Sequence, residues 1–215
     1  MSRRYALLCG ALAGPLFMLA LLIEGATRAG YNPIRHYGSS LEIGPLGWTQ
    51  HANFLLAGLL MLVFAIGLPA ALRARGRRSI WGPLLIAVWG LGLIGAGLFT
   101  DDPVSGYPPG TPEQITVPTT HGDLHSKVSL LGFVGLTAAF FVFARRFTGW
   151  GERRWATYST ASGVLFPAGF VLLVAAVSQT KGLVDVGGLI QRLTVTVGWA
   201  WLTLLAVHLL RTAPD

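Results

Sequence analysis

Charged side chains are scarce in this sequence, and their scarcity excludes most classes of soluble protein. Asp, Glu, Lys and Arg make up 12% of the 215 residues, about half of the usual share in soluble proteins. This is too few charges for the surface of a soluble enzyme. It is also too few for a disordered chain or a coiled coil, both of which are rich in charged residues. The single cysteine, Cys9, excludes an intrachain disulfide framework.

Hydrophobic residues are abundant instead, at 53% of the chain, and the mean hydropathy is +0.59. The net charge of +7 arises from short arginine clusters that lie between apolar segments. A nucleic-acid-binding protein gathers its basic residues on one surface, whereas clusters between apolar segments are typical of membrane proteins. The composition therefore predicts a polytopic membrane protein whose partner is the lipid bilayer and not a nucleic acid.

Six segments are long and apolar enough to cross a bilayer, which takes about 20 residues. The first segment is longer than a signal-peptide core and lacks a clear cleavage site, so we interpret it as a retained helix. The predicted fold is all-α, a single six-helix transmembrane domain over residues 1–215. Its helices are expected at about 5–26, 50–72, 80–100, 120–145, 155–178 and 188–210.

Basic residues divide unequally between the two ends of such a bundle. Six spans place both termini on one side, and eleven of the 16 basic residues fall on that side. The positive-inside rule makes this side cytoplasmic. We therefore expect a multi-pass protein of the plasma membrane with both termini inside. The eleven residues are Arg3, Arg4, Arg73, Arg75, Arg77, Arg78, Arg145, Arg146, Arg153, Arg154 and Arg211.

Ionisable and amide side chains gather at the opposite, external end, where the longer loops lie. Such groups are costly at membrane depth and mark functional sites, so we predict one outward-facing polar site. Its expected catalytic residues are Glu24, His51, Asp101 and Asp102. Its expected substrate-binding residues are Arg35, Asn53, Gln191 and Arg192.

The sharpest local motif is a histidine pair at the predicted start of the fourth helix. His121 and His125 are four residues apart, so their imidazoles share one helix face. Together with Asp101 they are the expected ligands of a divalent metal, zinc or magnesium. Thr120 and Asp123 also fit a helix-capping pattern, so capping and interfacial hydrogen bonding remain open alternatives.

Two adjacent aspartates end the predicted third helix, directly before Pro103. Neighbouring helical residues point about 100° apart, so we expect at most one of the two aspartates to face the bundle centre. A solvated membrane boundary is the alternative. Arg192 is expected either to pair with Glu24 or Asp101, or to snorkel towards the headgroups.

Short motifs along almost the whole chain carry a family resemblance. They are Gly30-Tyr31-Asn32-Pro33, Gly47-Trp48, Thr100-Asp101 with Pro103, His121-Gly122-x-x-His125 and Gln191-Arg192. In these motifs the sequence resembles the domain-of-unknown-function 998 family of bacterial and archaeal membrane proteins. The resemblance implies a six-helix bundle and brings no assigned reaction. Through its Thr-Asp-x-Pro pattern it also favours Asp101 as the inward-facing aspartate, with Asp102 expected to face solvent. A looser likeness to membrane hydrolases of the alkaline-ceramidase type implies zinc, although those proteins have seven helices.

Two classes of function remain open. In the first, the protein is a membrane-embedded enzyme that acts on a lipid or isoprenoid. One possible mechanism is hydrolysis by metal-activated water. The other is proton donation from a buried acid, with tryptophan faces that stabilise a carbocation. In the second, it is a small transporter, sensor or assembly factor that binds a ligand at the outer face.

Cysteine labelling in intact cells tests the orientation. Cysteines introduced at Gly76 and Gly149 should be shielded from a membrane-impermeant reagent, because these positions lie on the basic side. A cysteine at Gly110 should be labelled. Labelling at Gly76 in intact cells would overturn the predicted orientation.

Overall fold

The computed structural model describes residues 2–76 and 79–212, so the predicted cytoplasmic residues Arg77 and Arg78 lie outside the described residues. Within those ranges the chain forms six long α-helices and two short 3₁₀ helices, and all six α-helices are long and apolar enough to span a membrane. The all-α, six-helix prediction is confirmed, and the chain is a multi-pass membrane protein. The α-helices are α1 (Arg3–Thr27), α2 (Gly47–Ala74), α3 (Trp81–Leu98), α4 (Thr120–Gly149), α5 (Arg153–Val177) and α6 (Gly187–Thr212). The 3₁₀ helices are Ser39–Glu42 and Val184–Val186.

The six helices form a ring. Each helix packs against its neighbours in sequence, and α1 packs against α6 to close the ring. Buried positions in α1, such as Ala13, Phe17 and Leu21, recur every four residues and face inwards. Leu12 and Leu19, on the other faces of the same helix, are 53% and 57% exposed and meet the lipid.

The half of the ring near the chain termini is filled by an aromatic core. Phe140, Phe143 and Trp201 are fully buried. The Trp201 ring lies edge-on to both phenylalanines, with centroids at 4.8 and 5.4 Å, a favourable geometry. Its indole N–H donates to the Ser159 hydroxyl at 3.0 Å. These aromatic side chains therefore pack closely in this half of the ring.

A polar cluster closes the terminal end of the ring and joins two loops to α6. Arg75 makes an ion pair with Glu152, and its guanidinium lies 4.3 Å from the ring centroid of Trp150. The His208 Nε2 lies 2.7 Å from a Glu152 carboxylate oxygen. These contacts tie the terminal ends of the helices together. We call the opposite end of the bundle, where the longer loops lie, the loop end.

Close backbone contact joins α2 to α3 at a pair of glycines. A Cβ at Gly58 would lie 2.7 Å from the Gly90 carbonyl oxygen and 2.7 Å from a side-chain carbon of Ile94. Membrane helices gain little from hydrophobic association in lipid, so such close packing of small residues is a main source of stability.

Replacing Gly58 by alanine should therefore destabilise the bundle. The added methyl group overpacks the contact, and we expect a loss of about 1–3 kcal/mol, measured by thermal unfolding in detergent. Gly132→Ala is the matched control, because a Cβ there would lie at an ordinary 3.4 Å from its nearest neighbour. Equal melting temperatures for the two variants would contradict this packing role.

Candidate functional site

A cavity of about 540 Å³ lies inside the ring, in the half near the loop end. This volume is in the range of small-molecule sites. All six helices contribute to its wall, which is mainly apolar and aromatic away from the loops. His125 and Phe133 both line the cavity from α4, so it extends over about 12 Å along the helix axis. The large apolar wall residues are Phe17, Leu21, Phe54, Trp89, Leu93, Phe133, Phe170, Leu173 and Trp199.

Polar groups concentrate at the loop end of the cavity. This end is built from the starts of α2, α4 and α6 together with the loops that follow α1 and α3. The cavity is therefore amphipathic, with one polar end and an apolar interior. The polar lining residues at this end are Ser39, Gln50, Asp101, His125, Ser126, Ser178 and Gln191.

Two histidines satisfy the carbonyl groups at the end of α3, which ends at Leu98. A helix end leaves up to four carbonyls without intrahelical partners. The His51 Nδ1 lies 3.0 Å from the Gly97 carbonyl oxygen, and the His125 Nδ1 lies 2.7 Å from the Phe99 carbonyl oxygen. A carbonyl oxygen only accepts, so each Nδ1 donates, and the Nε2 of each neutral ring is then an acceptor.

Glu42 lies behind these histidines, and its side chain is fully buried. One carboxyl oxygen accepts the Asp101 amide at 3.2 Å and lies 3.5 Å from the His125 Nδ1. The other lies 3.7 Å from the His51 Nδ1. Burial raises the pKa of Glu42 to about 9; the bond from the Asp101 amide opposes this rise, and the Asp101 charge adds to it. Glu42 is therefore protonated at neutral pH.

Sequence reasoning did not select Glu42 as a site residue. It falls in a loop without helical or strand periodicity, and no metal or nucleophile motif surrounds it. The signal that could have found it is its setting between two apolar residues, Leu41 and Ile43. A carboxyl group flanked in this way enters an apolar interior when the loop folds back, as the short helix Ser39–Glu42 does here.

The two aspartates after α3 have different roles. Asp101 lines the cavity. The expectation that Asp102 faces solvent is wrong, because Asp102 is buried and accepts bonds from the Thr119 amide at 2.9 Å and hydroxyl at 2.7 Å. Thr119 in turn caps α4 by accepting the Gly122 amide. The α4 cap is thus Thr119, one residue before the Thr120 of the predicted capping pattern.

The predicted metal ligands are not brought together. His121 is exposed, and its ring lies edge-on to Phe99 at 5.8 Å. His125 is buried and its Nδ1 is engaged by a backbone carbonyl. Within residues 2–76 and 79–212, no three His, Cys, Asp or Glu side chains form a group that could hold a metal ion. The set of His121, His125 and Asp101 therefore does not fit zinc or magnesium.

Arg192 holds the first loop in place. Its guanidinium donates to the carbonyls of Pro33 at 2.7 Å, His36 at 3.1 Å and Gly188 at 3.0 Å. It also donates to the Tyr31 hydroxyl at 2.6 Å. Both expectations for this residue are wrong, because its 9% exposure rules out snorkelling and its partners are backbone carbonyls and a phenol rather than a carboxylate.

Two other predicted site residues form ion pairs instead of lining the cavity. Arg35 pairs with Glu113 at 2.6 Å and with Asp185, so it joins all three connections of the loop end. Glu24 is buried near the end of α1, and its carboxylate lies 3.4 Å from the Arg28 guanidinium. The ion pairs of Arg35 therefore fix the loops that cover the cavity, whereas the Glu24–Arg28 pair lies at the end of α1.

Amide side chains complete the polar end. Gln191 accepts the Gly38 amide at 2.5 Å. Asn53 donates to the Phe17 carbonyl at 3.2 Å and to the Gln50 side-chain oxygen at 3.1 Å. Gln50 is fully buried and lines the cavity, and its amide nitrogen has no partner in the described part of the chain. A buried donor of this kind requires an acceptor, which a ligand could supply.

The ring of six spans and its internal amphipathic cavity define a polytopic α-helical membrane protein with a cavity between its helices. The family described as "Protein of unknown function (DUF998)" matches residues 11–208, and the chain belongs to this family. The resemblance carried by its short motifs is thereby confirmed. No curated protein and no solved structure matches the chain.

Glu42 should make folding stability depend on pH. Because burial raises its pKa from 4.5 to about 9, the folded state binds more protons, and stability falls as the pH rises towards 9. Over pH 6 to 9 one proton accounts for at most about 4 kcal/mol. Glu42→Gln, neutral at every pH, should flatten the profile of thermal unfolding in detergent.

The control for this experiment is Asp123→Asn, which removes a half-exposed carboxylate that is paired with Lys127. Its profile should follow that of the parent protein. A Glu42→Gln profile as steep as that of the parent would show that Glu42 is ionised when the protein is folded.

Proposed function

We propose that the protein is a membrane-embedded enzyme that carries out acid–base chemistry on an amphiphilic lipid or isoprenoid substrate. One observation carries this proposal: the ionisable cluster of Glu42, Asp101 and His125 lies at the polar end of an otherwise apolar cavity. Proton-exchanging groups in such surroundings are typical of active sites. Metal-assisted hydrolysis, the other mechanism open from the sequence, lacks a ligand group among the described residues.

The shape of the cavity supports an amphiphilic substrate. A polar group fits beside Asp101 and His125, within reach of the unpartnered Gln50 amide. The hydrocarbon part then extends over about 12 Å along the wall that contains Trp89 and Trp199. Aromatic faces of this kind pack against hydrocarbon and also stabilise a developing positive charge, which favours an isoprenoid.

The proposed proton transfers use the two ionisable groups that line the cavity. His125 accepts a proton at Nε2, while its Nδ1 bond to the Phe99 carbonyl holds the ring orientation. Asp101, whose negative charge adds to the raised pKa of Glu42, is the second base that lines the cavity, and each accepted proton is returned to the product. Glu42 acts as a positioning residue, since it binds the Asp101 amide and lies beside the His125 Nδ1.

The basic asymmetry of the sequence supports an orientation for this site. With the termini in the cytoplasm of the plasma membrane, the polar end of the cavity lies at the outer face. The substrate is then a lipid of the outer leaflet.

A carrier or sensor of the same amphiphile is the second candidate. It is favoured by a specific observation: His51, His125 and Asp102 all cap helix ends, a structural role that needs no chemistry. In this case the cavity binds the ligand without changing it.

Turnover of lipids by the purified protein separates these candidates. We expect the parent, in liposomes made from a total lipid extract of the expression host, to convert at least one lipid species, detected by mass spectrometry. Asp101→Asn should slow this conversion at least a hundredfold, roughly 3 kcal/mol in transition-state stabilisation. His125→Gln should also be impaired.

The matched control is His121→Ala, which removes an exposed histidine from the same helix and should leave the rate unchanged. All variants are first compared by gel filtration and melting temperature. If the parent alters no lipid but retains one species through purification, the protein is a carrier or sensor and the enzymatic proposal fails.

A further inference from the structure

We infer that the cavity opens sideways into the bilayer, through a portal between α4 and α5, and that its ligand arrives through this portal as a membrane-dissolved amphiphile. The inference rests on the proposed function only in taking the cavity as the ligand site. It adds the route and the source of the ligand, because a lateral portal selects molecules that already reside in the membrane.

The exposed part of the cavity wall locates this portal. Only four of its lining residues are exposed, and all of them belong to the facing ends of α4 and α5. Two of them, Leu130 and Val174, are each 48% exposed. Lining residues on the other helices, such as Phe17 and Trp89, are 4% exposed. The four exposed lining residues are Ser126, Leu130, Val174 and Ser178.

The packing of α4 against α5 explains where the portal begins. The Phe133 ring contacts Phe166 at 5.0 Å and Phe170 at 4.4 Å between centroids, which closes the gap below the cavity. One helical turn nearer the loop end, Leu130 and Val174 line the cavity and are exposed as well. The aromatic contact is therefore the floor of the portal.

The loop end of the cavity is covered, which leaves the side as the route of access. Tyr37 and Val104 are each 2% exposed and pack with Leu173 and Ile115 over this end. Arg35 joins the three loops through its ion pairs. A ligand that came directly from water would have to displace this cover.

The chemistry of the portal edges matches one hydrocarbon chain of a bilayer amphiphile. Leu130 and Val174, deeper in the membrane, offer apolar contact to a chain. Ser126 and Ser178 lie about one turn nearer the loop end, about 6 Å away, and offer hydrogen bonds to a polar group. A chain that enters between the apolar pair brings its polar group to the level of Asp101 and His125.

Photolabelling tests this portal without requiring turnover. The protein is reconstituted in phosphatidylcholine vesicles that contain a phosphatidylcholine with a diazirine at the end of one acyl chain. After irradiation, mass spectrometry should find label on Phe17 and Leu93, which line the cavity and are 4% and 5% exposed. Label on the lipid-facing Leu172, 46% exposed, serves as the internal reference.

A bulky residue at the portal should block this internal labelling. Val174→Trp is expected to lower the label on Phe17 and Leu93 at least fivefold relative to Leu172. Val171→Trp, on the same helix, is the matched control, because Val171 is 66% exposed and does not line the cavity. Internal labelling in this control should equal that of the parent.

Two results would overturn the inference: no label on the cavity wall of the parent, or equal internal labelling in the two tryptophan variants. The proposed chemistry is tested separately, since Asp101→Asn should be labelled like the parent while it loses turnover. A parent that is labelled internally but converts no lipid would retain the portal and refute only the enzymatic proposal.

Discussion

The hydrogen bond that would continue α3, from the Asp101 amide to the Gly97 carbonyl, is replaced by two side-chain bonds. Glu42 accepts the amide, and His51 donates to the carbonyl. Next to it, His125 donates to the Phe99 carbonyl. Backbone groups inside an apolar bundle must be satisfied within the protein, so the end of α3 depends on these three side chains from three different segments.

The need to satisfy the end of α3 also determines which ionisable groups lie at the polar end of the cavity. A carboxyl group that must reach a buried amide is removed from water, and burial raises the pKa of Glu42 to about 9. The chain that leaves α3 then presents Asp101 to the cavity and directs Asp102 to the start of α4. The residues that satisfy the end of α3 therefore also form the polar end of the cavity.

The two halves of the ring differ in how completely side chains fill them. The terminal half is filled by interlocked rings such as Phe140 and Trp201 and closed by the Arg75–Glu152 pair. The loop half leaves space, and the loops tied by Arg35 and Arg192 cover it. Close packing in one half together with a covered cavity in the other is the arrangement that a preorganised site requires.

The sequence by itself determined the membrane class, the six spans and the gathering of polar residues at one end, because span length and charge distribution are local properties. Only the tertiary structure decided which of these residues meet. Glu42 is 59 positions from its partner Asp101, and Arg192 is 159 positions from the Pro33 carbonyl that it binds. No periodicity encodes such pairs, since they form only when the closed ring and its loops bring distant segments together, and burial then sets the ionisation of Glu42.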